Sequence, residues 1–330
     1  MKAYVINQFG SPAVIEASEM PRPVPGPRQV LIEVRATSVN PLDYRIRQGE
    51  VPYFTHAFPA ILHADVAGIV REKGVEVLGF EIGDEVYACA GGVRGRQGAL
   101  AEFMAADADF VALKPRSLDF EEAASLPLVS ITAWEAIEDS GAVSPGKHVL
   151  IFGGTGGVGH AAVQLAKLKG AVVTATVGSA DKARIARRLG ADHVVLYKEE
   201  KLADAARRIT GGAGFDVVFD TVGGESFEQG LEAARIGGTV LTIAARGEFD
   251  MITAFAKALR VQFVNMSLPM ATGRGMDQHG TILRRVAALV DEGRFSPLID
   301  QRRFSFEQAA HAHAHAESGL AVGKVVLSAH

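Results

Sequence analysis

The chain has 330 residues, 48% of them hydrophobic and 22% charged, a globular composition with room for about two domains. Its net charge of −4 gives no reason to expect nucleic acid or a membrane surface as partner, so neither is predicted. Cys89 is the only cysteine, which excludes an intrachain disulfide and indicates a reducing compartment. The first residues alternate like a strand, and no apolar run reaches transmembrane length, so we expect a cytoplasmic protein.

Residues 1 to about 120 contain short apolar runs separated by turns that carry proline and glycine. This pattern is typical of a small, partly open β-barrel rather than of alternating strands and helices. After it, the sequence changes to a helical period, with Ser117 as the candidate N-cap and acidic residues in the first turn.

A glycine-rich turn follows the apolar run 149–152, which has the length of a buried strand. Gly154, Gly156 and Gly159 match the pattern G-x-G-x-x-G, and a helical pattern and a second apolar run at 171–177 come next. A strand, a glycine turn, a helix and a strand within about thirty residues form a βαβ unit that places a pyrophosphate at the helix N-terminus. The stretch therefore predicts a nicotinamide dinucleotide site.

The end of the second strand indicates which dinucleotide binds. Enzymes that use NAD usually have a carboxylate about twenty residues after the glycines, whereas this chain has Gly178 and Ser179, with Lys182 one turn further on. A carboxylate would repel a 2′-phosphate by roughly 4 kcal/mol at 4 Å. Asp181 is better placed as a first-turn helix residue. The sequence favours NADPH over NADH.

The rest of the chain alternates apolar strands with helices and then ends in a shorter tail. Six such strands predict an α/β fold with a doubly wound parallel sheet. The tail, with helices near 277–292 and 306–317, is too short for a core of its own and is predicted to pack onto the β-rich part. Between the first βαβ unit and the tail, the predicted elements are helix 179–189, strand 193–197, helix 199–210, strand 215–222, helix 226–235, strand 237–244, helix 251–260 and strand 261–268.

Several motifs together carry a family resemblance that spans essentially the whole chain: "NPLDYRIRQG", "FPAILHADVAGIV", "GDEVYACAGG", "SLPLVSITAWEAI" and "GGTGGVG". The chain resembles the medium-chain dehydrogenase/reductase superfamily, and within it the zinc-independent quinone oxidoreductases of the zeta-crystallin type. The resemblance implies a GroES-like β-barrel catalytic domain (1–122 and 264–330), a Rossmann nucleotide-binding domain (123–263) and an active site in the cleft. It also implies a homodimer that pairs along the strand 261–268.

Zinc-dependent members of the superfamily place a cysteine and a histidine at the catalytic metal, and Asn40 and Ala64 stand at those two positions here. A structural zinc lobe would need four cysteines. No metal is therefore expected. Two other histidine groups are weaker candidates for metal ligands: His63 with Asp65, and the series His311, His313 and His315 on a helix that we expect to be exposed.

Without zinc to stabilise an alkoxide, reduction of a quinone or conjugated enone by NADPH is favoured over alcohol oxidation. The alternatives are a 2-alkenal or enoyl reductase, a zinc-type alcohol dehydrogenase, and a nonenzymatic crystallin-like or RNA-binding protein. Tyr53 is the candidate proton donor, with Tyr44 and Arg45 as alternatives. The resemblance implies Asn40 and Thr132 near the nicotinamide as catalytic and cofactor-binding residues. The further predicted cofactor-binding residues are Gly154, Gly156, Gly157, Val158, Gly159, Ser179, Lys182, Tyr197, Val222, Ile243, Ala244, Ala245, Phe263 and Asn265.

Overall fold

The computed structural model describes residues 1–54 and 57–329, and within them the chain divides into two compact units. The first unit consists of Met1–Ile131 and Ser267–His330, and the second of Thr132–Met266. The predicted domain boundaries, after residues 122 and 263, stay a prediction and lie close to this division.

The helices and strands in the described part of the chain are numbered in chain order. The strands are β1 (Lys2–Ile6), β2 (Ile15–Glu19), β3 (Gln29–Ser38), β4 (Ala60–Ile61), β5 (Asp65–Lys73), β6 (Glu85–Cys89), β7 (Phe103–Asp107), β8 (Val111–Leu113), β9 (His148–Ile151), β10 (Val172–Val177), β11 (His193–Leu196), β12 (Phe215–Asp220), β13 (Ala234–Thr242), β14 (Arg260–Phe263), β15 (Phe304–Ser305) and β16 (Val326–Ser328). The helices are α1 (Pro41–Gln48), α2 (Phe120–Ala124), α3 (Pro127–Trp134), α4 (Gly157–Leu168), α5 (Ala180–Arg188), α6 (Leu202–Thr210), α7 (Glu225–Ala233), α8 (Ile252–Ala256), α9 (Leu268–Thr272), α10 (Met276–Asp291) and α11 (Ala309–Glu317). No helix among these is both long and apolar enough to span a membrane.

The first unit is built around β3, which is rich in β-branched residues and buried along most of its length. It pairs antiparallel with β5, β7 and β16, in a sheet of order β15-β16-β3-β5-β6-β8. A smaller sheet has the order β2-β1-β4. The β-rich prediction for this part is confirmed, and so is the return of the tail onto it, because β16 places Val326 opposite Ser38.

The second unit contains a parallel sheet of order β11-β10-β9-β12-β13-β14. The chain starts at β9 in the middle, runs to one edge through β10 and β11, and returns to build the other half from β12. This order confirms the doubly wound prediction and places a topological switch point between β9 and β12, where such sheets bind ligands at their carboxyl ends.

Several predicted element ends are wrong. The predicted strand 261–268 ends at Phe263, and Leu268 already begins α9. The predicted N-cap Ser117 instead donates its hydroxyl to Asp291 Oδ1, at 2.9 Å. The cap of α2 is Asp119, whose carboxylate accepts the Glu122 N–H at 2.7 Å in a capping box.

Candidate functional site

The glycine turn after β9 is compact because its glycines leave no room for side chains. A Cβ on Gly154 would lie 2.5 Å from Cβ of Ala175, and one on Gly159 would lie 2.0 Å from the Gly153 carbonyl oxygen. Gly153 has a φ of +63°, which favours glycine. The helix α4 therefore starts directly against the sheet at Gly157, and Gly156 before it is exposed. This is a cradle that a pyrophosphate fits and that a Cβ would fill.

The loops after β12 and β13 lie at the same edge of the sheet. The Thr221 hydroxyl donates to the Phe152 carbonyl at 2.8 Å, and a Cβ on Gly153 would lie 3.4 Å from Cγ2 of Val222. Val222 is 56% exposed. Half-buried Ile243, Ala244 and Ala245 follow β13. The structure thus brings the predicted residues Val222 and 243–245 to the edge that carries the glycine turn.

The predicted phosphate end lies at the carboxyl ends of β10 and β11. Ser179 is the N-cap of α5, and its hydroxyl oxygen accepts the Lys182 N–H at 3.3 Å. The Tyr197 hydroxyl is so close to Gly178 that a Cβ there would lie 2.7 Å from it. Asp181 pairs with Arg184, as a first-turn residue of the helix. Ser179, the first turn of α5 with Lys182, and Tyr197 therefore all lie at the ends of β10 and β11.

The remaining predicted site residues lie elsewhere in the two units. Thr132 is buried in the last turn of α3, Phe263 is the exposed last residue of β14, and Asn265 is exposed just after it. Tyr53 lies in the 3₁₀ turn Pro52–Phe54, is 61% exposed, and has its ring centroid 4.7 Å from that of Phe54. The roles predicted for these four residues stay predictions.

Asn40 belongs to a buried polar cluster in the first unit. Its amide Nδ2 donates to Asp65 Oδ2 at 2.8 Å, and its Oδ1 accepts from the Lys324 ammonium at 2.5 Å. The ammonium also donates to the Val39 carbonyl at 2.9 Å and lies 3.4 Å from Asp65 Oδ2. Asp65 Oδ1 accepts the Leu128 N–H at 2.8 Å. Lys324 is 3% exposed and Asp65 is 0% exposed, so the two opposite charges neutralise each other away from water.

Strand register explains how these residues meet. β16 pairs with β3 so that Val326 is opposite Ser38, and β5 pairs with β3 so that Asp65 is opposite the same residue. Lys324 precedes Val326 by two residues and Asn40 follows Ser38 by two, so both lie at the same level beyond the strand ends. Sequence reasoning missed Lys324, because nothing near it in the chain indicates a partner more than 250 residues away.

His63 is hydrogen-bonded to three side chains and has an unusual backbone conformation, with φ of +75°. Its N–H donates to Asp43 Oδ1 at 3.2 Å, and its Nε2 lies 2.9 Å from Nε2 of His313. The Thr37 hydroxyl donates to the Asp65 carbonyl at 2.5 Å, so at 3.2 Å it accepts from Nδ1 of His63. Nε2 of His63 then accepts from His313.

Burial fixes the protonation of this cluster. It holds the pKa of His63 well below its usual value, helped by the nearby His313 ring and the Lys324 ammonium. Burial also lowers the pKa of His313 to about 3 and raises that of the Asp43 carboxyl to about 7. Both rings are therefore neutral at neutral pH. With both nitrogens of His63 hydrogen-bonded and Asp65 bound to Lys324, the structure does not support this pair as metal ligands.

The histidine-rich helix α11 differs from its prediction. His313 and His315 are buried, and His315 Nε2 is 3.0 Å from Asp300 Oδ1, so the expectation of an exposed helix is wrong for them. The helix packs against α1, where buried Arg47 pairs with Glu317. Only His311 of the three is exposed. In residues 1–54 and 57–329 no three histidine, cysteine or acidic side chains form a metal-binding group.

Replacing Lys324 by methionine is expected to destabilise the protein by about 3–5 kcal/mol, because it leaves the Asp65 carboxylate buried without a charge partner. Chemical denaturation measures this loss. The matched control is Lys167→Met, which removes a surface ion pair to Asp192 and is expected to cost about 0–1 kcal/mol. Equal stability of the two variants would contradict the importance assigned to the buried pair.

Comparisons with known proteins show which family the chain belongs to. Residues 26–116 match the family model of the alcohol dehydrogenase GroES-like domain, and residues 189–327 match that of the zinc-binding dehydrogenases. The chain is 34% identical to the 2-methylene-furan-3-one reductase of Solanum lycopersicum, over 99% of this chain and 79% of the relative.

Solved structures match over the full length. An alcohol dehydrogenase superfamily protein from Novosphingobium aromaticivorans aligns with a TM-score of 0.95 and 36% identity, covering 100% of both chains. The Escherichia coli quinone oxidoreductase in complex with NADPH aligns with a TM-score of 0.88 and 26% identity, covering 99% of this chain and 100% of that one. The GroES-like domain, the Rossmann sheet and a relative 34% identical over nearly the whole chain lead to one conclusion: the chain belongs to the medium-chain dehydrogenase/reductase superfamily.

Proposed function

We propose that the chain is an NADPH-dependent oxidoreductase that reduces quinones or other conjugated carbonyls by hydride transfer, without zinc. The observation that carries the proposal is the Lys324 ammonium held against Asn40, where zinc-dependent members of the superfamily have a metal ligand. Two similar proteins, a 2-methylene-furan-3-one reductase and a quinone oxidoreductase, support this substrate class by their names.

The residues around Asn40 do not fit a catalytic zinc ion. Ala64, at the second ligand position, has no ligand atom in its side chain, and Asn40 Oδ1 is already bound to a cation. Alcohol oxidation would lack the Lewis acid that stabilises an alkoxide. A quinone or an enone accepts a hydride without that help, because its own oxygen takes up the negative charge by conjugation. The polar cluster thus favours conjugated acceptors.

The carboxyl edge of the parallel sheet fits NADPH. Bound NADPH supplies the hydride, and the chain's part is to hold it and to exclude water. The turn 153–159 offers backbone N–H groups to the pyrophosphate. Ser179, Lys182 and Tyr197 form the area proposed for the 2′-phosphate, where the end of β10 carries no carboxylate.

Asn40 and Thr132 are the proposed contacts of the nicotinamide. The hydrogen bonds of Asn40 fix which way its amide points, since Oδ1 faces the Lys324 ammonium and Nδ2 faces Asp65. Nδ2 carries two hydrogens and gives one to Asp65, so the second is the donor this side chain has to offer.

Turnover by chelator-treated protein tests the proposal. We expect oxidation of NADPH by an ortho-quinone, with NADPH preferred over NADH. Lys182→Ala is expected to raise KM for NADPH about tenfold and to leave KM for NADH unchanged, because one charge-assisted contact to the 2′-phosphate is lost. Arg184→Ala, on the same helix, is the matched control. Alcohol oxidation that appears only after zinc is added would contradict the proposal.

Tyr53 is the proposed proton donor for enones, for which the carbon skeleton must gain a proton as well as a hydride. Tyr53→Phe is expected to lower enone turnover about 100-fold and to leave quinone turnover nearly unchanged. Tyr44→Phe serves as the comparison, measured with both acceptors. An equal loss for both acceptors would assign Tyr53 to substrate binding instead.

The homodimer and the cytoplasmic location stay proposals. β14 is the edge strand of the parallel sheet, and Phe263 on it and Phe255 before it are 67% and 84% exposed. Pairing of two such edges would cover the unpaired backbone groups of an edge strand, which are otherwise a risk for aggregation. Sedimentation is expected to give twice the mass of one chain, and a Phe263→Glu variant is expected to shift it toward one. A wild-type chain that sediments as a monomer would refute the dimer.

A further inference from the structure

Asp220 is a buried carboxylate whose partners are backbone amides of the loop that follows it. It is the last residue of β12 and is 0% exposed. Its Oδ1 accepts the N–H groups of Val222 and Gly223, at 3.0 and 2.8 Å. Its Oδ2 accepts the hydroxyl of Thr242, at 2.8 Å. The side chain therefore holds the start of one loop and reaches the end of the next strand.

Thr242 does the same for the loop after β13. It is also 0% exposed, and its Oγ1 accepts the N–H groups of Ala244 and Ala245, at 3.2 and 3.0 Å. With both lone pairs of the oxygen occupied, the hydroxyl hydrogen has one direction left, toward Asp220 Oδ2. The two side chains form a single hydrogen-bonded unit, called here the Asp220–Thr242 brace, that satisfies four loop amides.

The strands do not need this brace to stay together. Asp220 and Thr242 are register partners in the parallel ladder of β12 and β13, and the Ile243 N–H continues that ladder to the Asp220 carbonyl at 3.2 Å. The side-chain hydrogen bonds add nothing to the ladder itself. What they fix is the backbone of the two loops beyond it.

These loops have little freedom to move separately. Gly223 has a φ of +82°, and a Cβ on it would lie 2.2 Å from the Ala244 carbonyl oxygen. The first loop also touches the glycine turn, through the hydrogen bond from Thr221 to the Phe152 carbonyl. A displacement at Thr242 would therefore move Val222 and residues 243–245 together, next to the turn proposed for the pyrophosphate.

We propose that Asp220 and Thr242 are positioning residues for the cofactor: the brace sets the shape of the crevice wall that Val222 and residues 243–245 present to bound NADPH. This inference rests on the proposed function of the same edge. Neither side chain is exposed to touch the ligand, and both act through the amides they bind.

The test compares Thr242→Val, which keeps the shape and removes the hydroxyl, with Thr242→Ser, which restores it. NADPH binding is measured by fluorescence titration without any acceptor. We expect the Kd to rise about tenfold in Thr242→Val and to stay near the wild-type value in Thr242→Ser, since the amides of Ala244 and Ala245 lose their acceptor and Asp220 Oδ2 loses its donor in the first variant only. KM for the quinone is expected to be unchanged in both.

Amide hydrogen exchange of Val222, Gly223, Ala244 and Ala245 gives a second readout. In Thr242→Val these four amides are expected to exchange faster, while the ladder amides of β12 and β13 keep their protection. A normal Kd for Thr242→Val would overturn the inference, as would faster exchange throughout the sheet, which indicates a structural role. Failure of the wild-type chain to bind NADPH would instead refute the proposed function, and the inference with it.

Discussion

The hydrogen-bonded ion pair between Lys324 and Asp65 joins three parts of the chain that are far apart in sequence. It connects the end of β3, the start of β5 and the approach to β16, and Asn40 lies between the two charges. A charge so deeply buried costs several kcal/mol unless it is paired, so neither partner can be lost without consequence. The pair sets the direction of the Asn40 amide, and the neighbouring hydrogen bonds of Asp43, His63 and Thr37 extend the same network.

In the second unit, the groups that need hydrogen-bond partners are backbone amides, and side-chain oxygens accept from them. At the carboxyl edge of a parallel sheet, backbone N–H groups leave the ladder and need new partners. Side chains at three strand ends supply them: Thr176 Oγ1 accepts the Gly153 N–H at 3.1 Å, and Asp220 and Thr242 accept four loop amides. At the edge that is proposed to hold the cofactor, these five amides are thus hydrogen-bonded by the chain's own side chains.

What could be predicted from the sequence depended on how far apart in the chain the interacting residues lie. The glycine turn was predictable, because G-x-G-x-x-G and the flanking strand and helix lie within thirty residues. The atoms that leave no room for a Cβ on Gly154 and Gly159 belong to the same βαβ unit. The alternation of six strands and helices was predictable for the same reason. The exposure of α11 was predicted wrongly. Three histidines that alternate with alanines are typical of a polar helix face, and only the packing of α11 against the rest of the first unit buries His313 and His315. Ser117 is a residue type that often caps helices, but Asp119 directly precedes α2 and forms the capping box with Glu122.

By itself the sequence determined the class of fold, the dinucleotide turn and the absence of cysteine ligands for zinc, because these depend on residue type and short spacing. Only the tertiary structure decided that an ammonium from residue 324 would stand beside Asn40, and that Asp220 and Thr242 would share one hydrogen bond. Both contacts depend on strand register, which a chain sets by pairing segments distant in sequence. The hydrogen-bonding needs of a single residue do not reveal which distant partner will meet them.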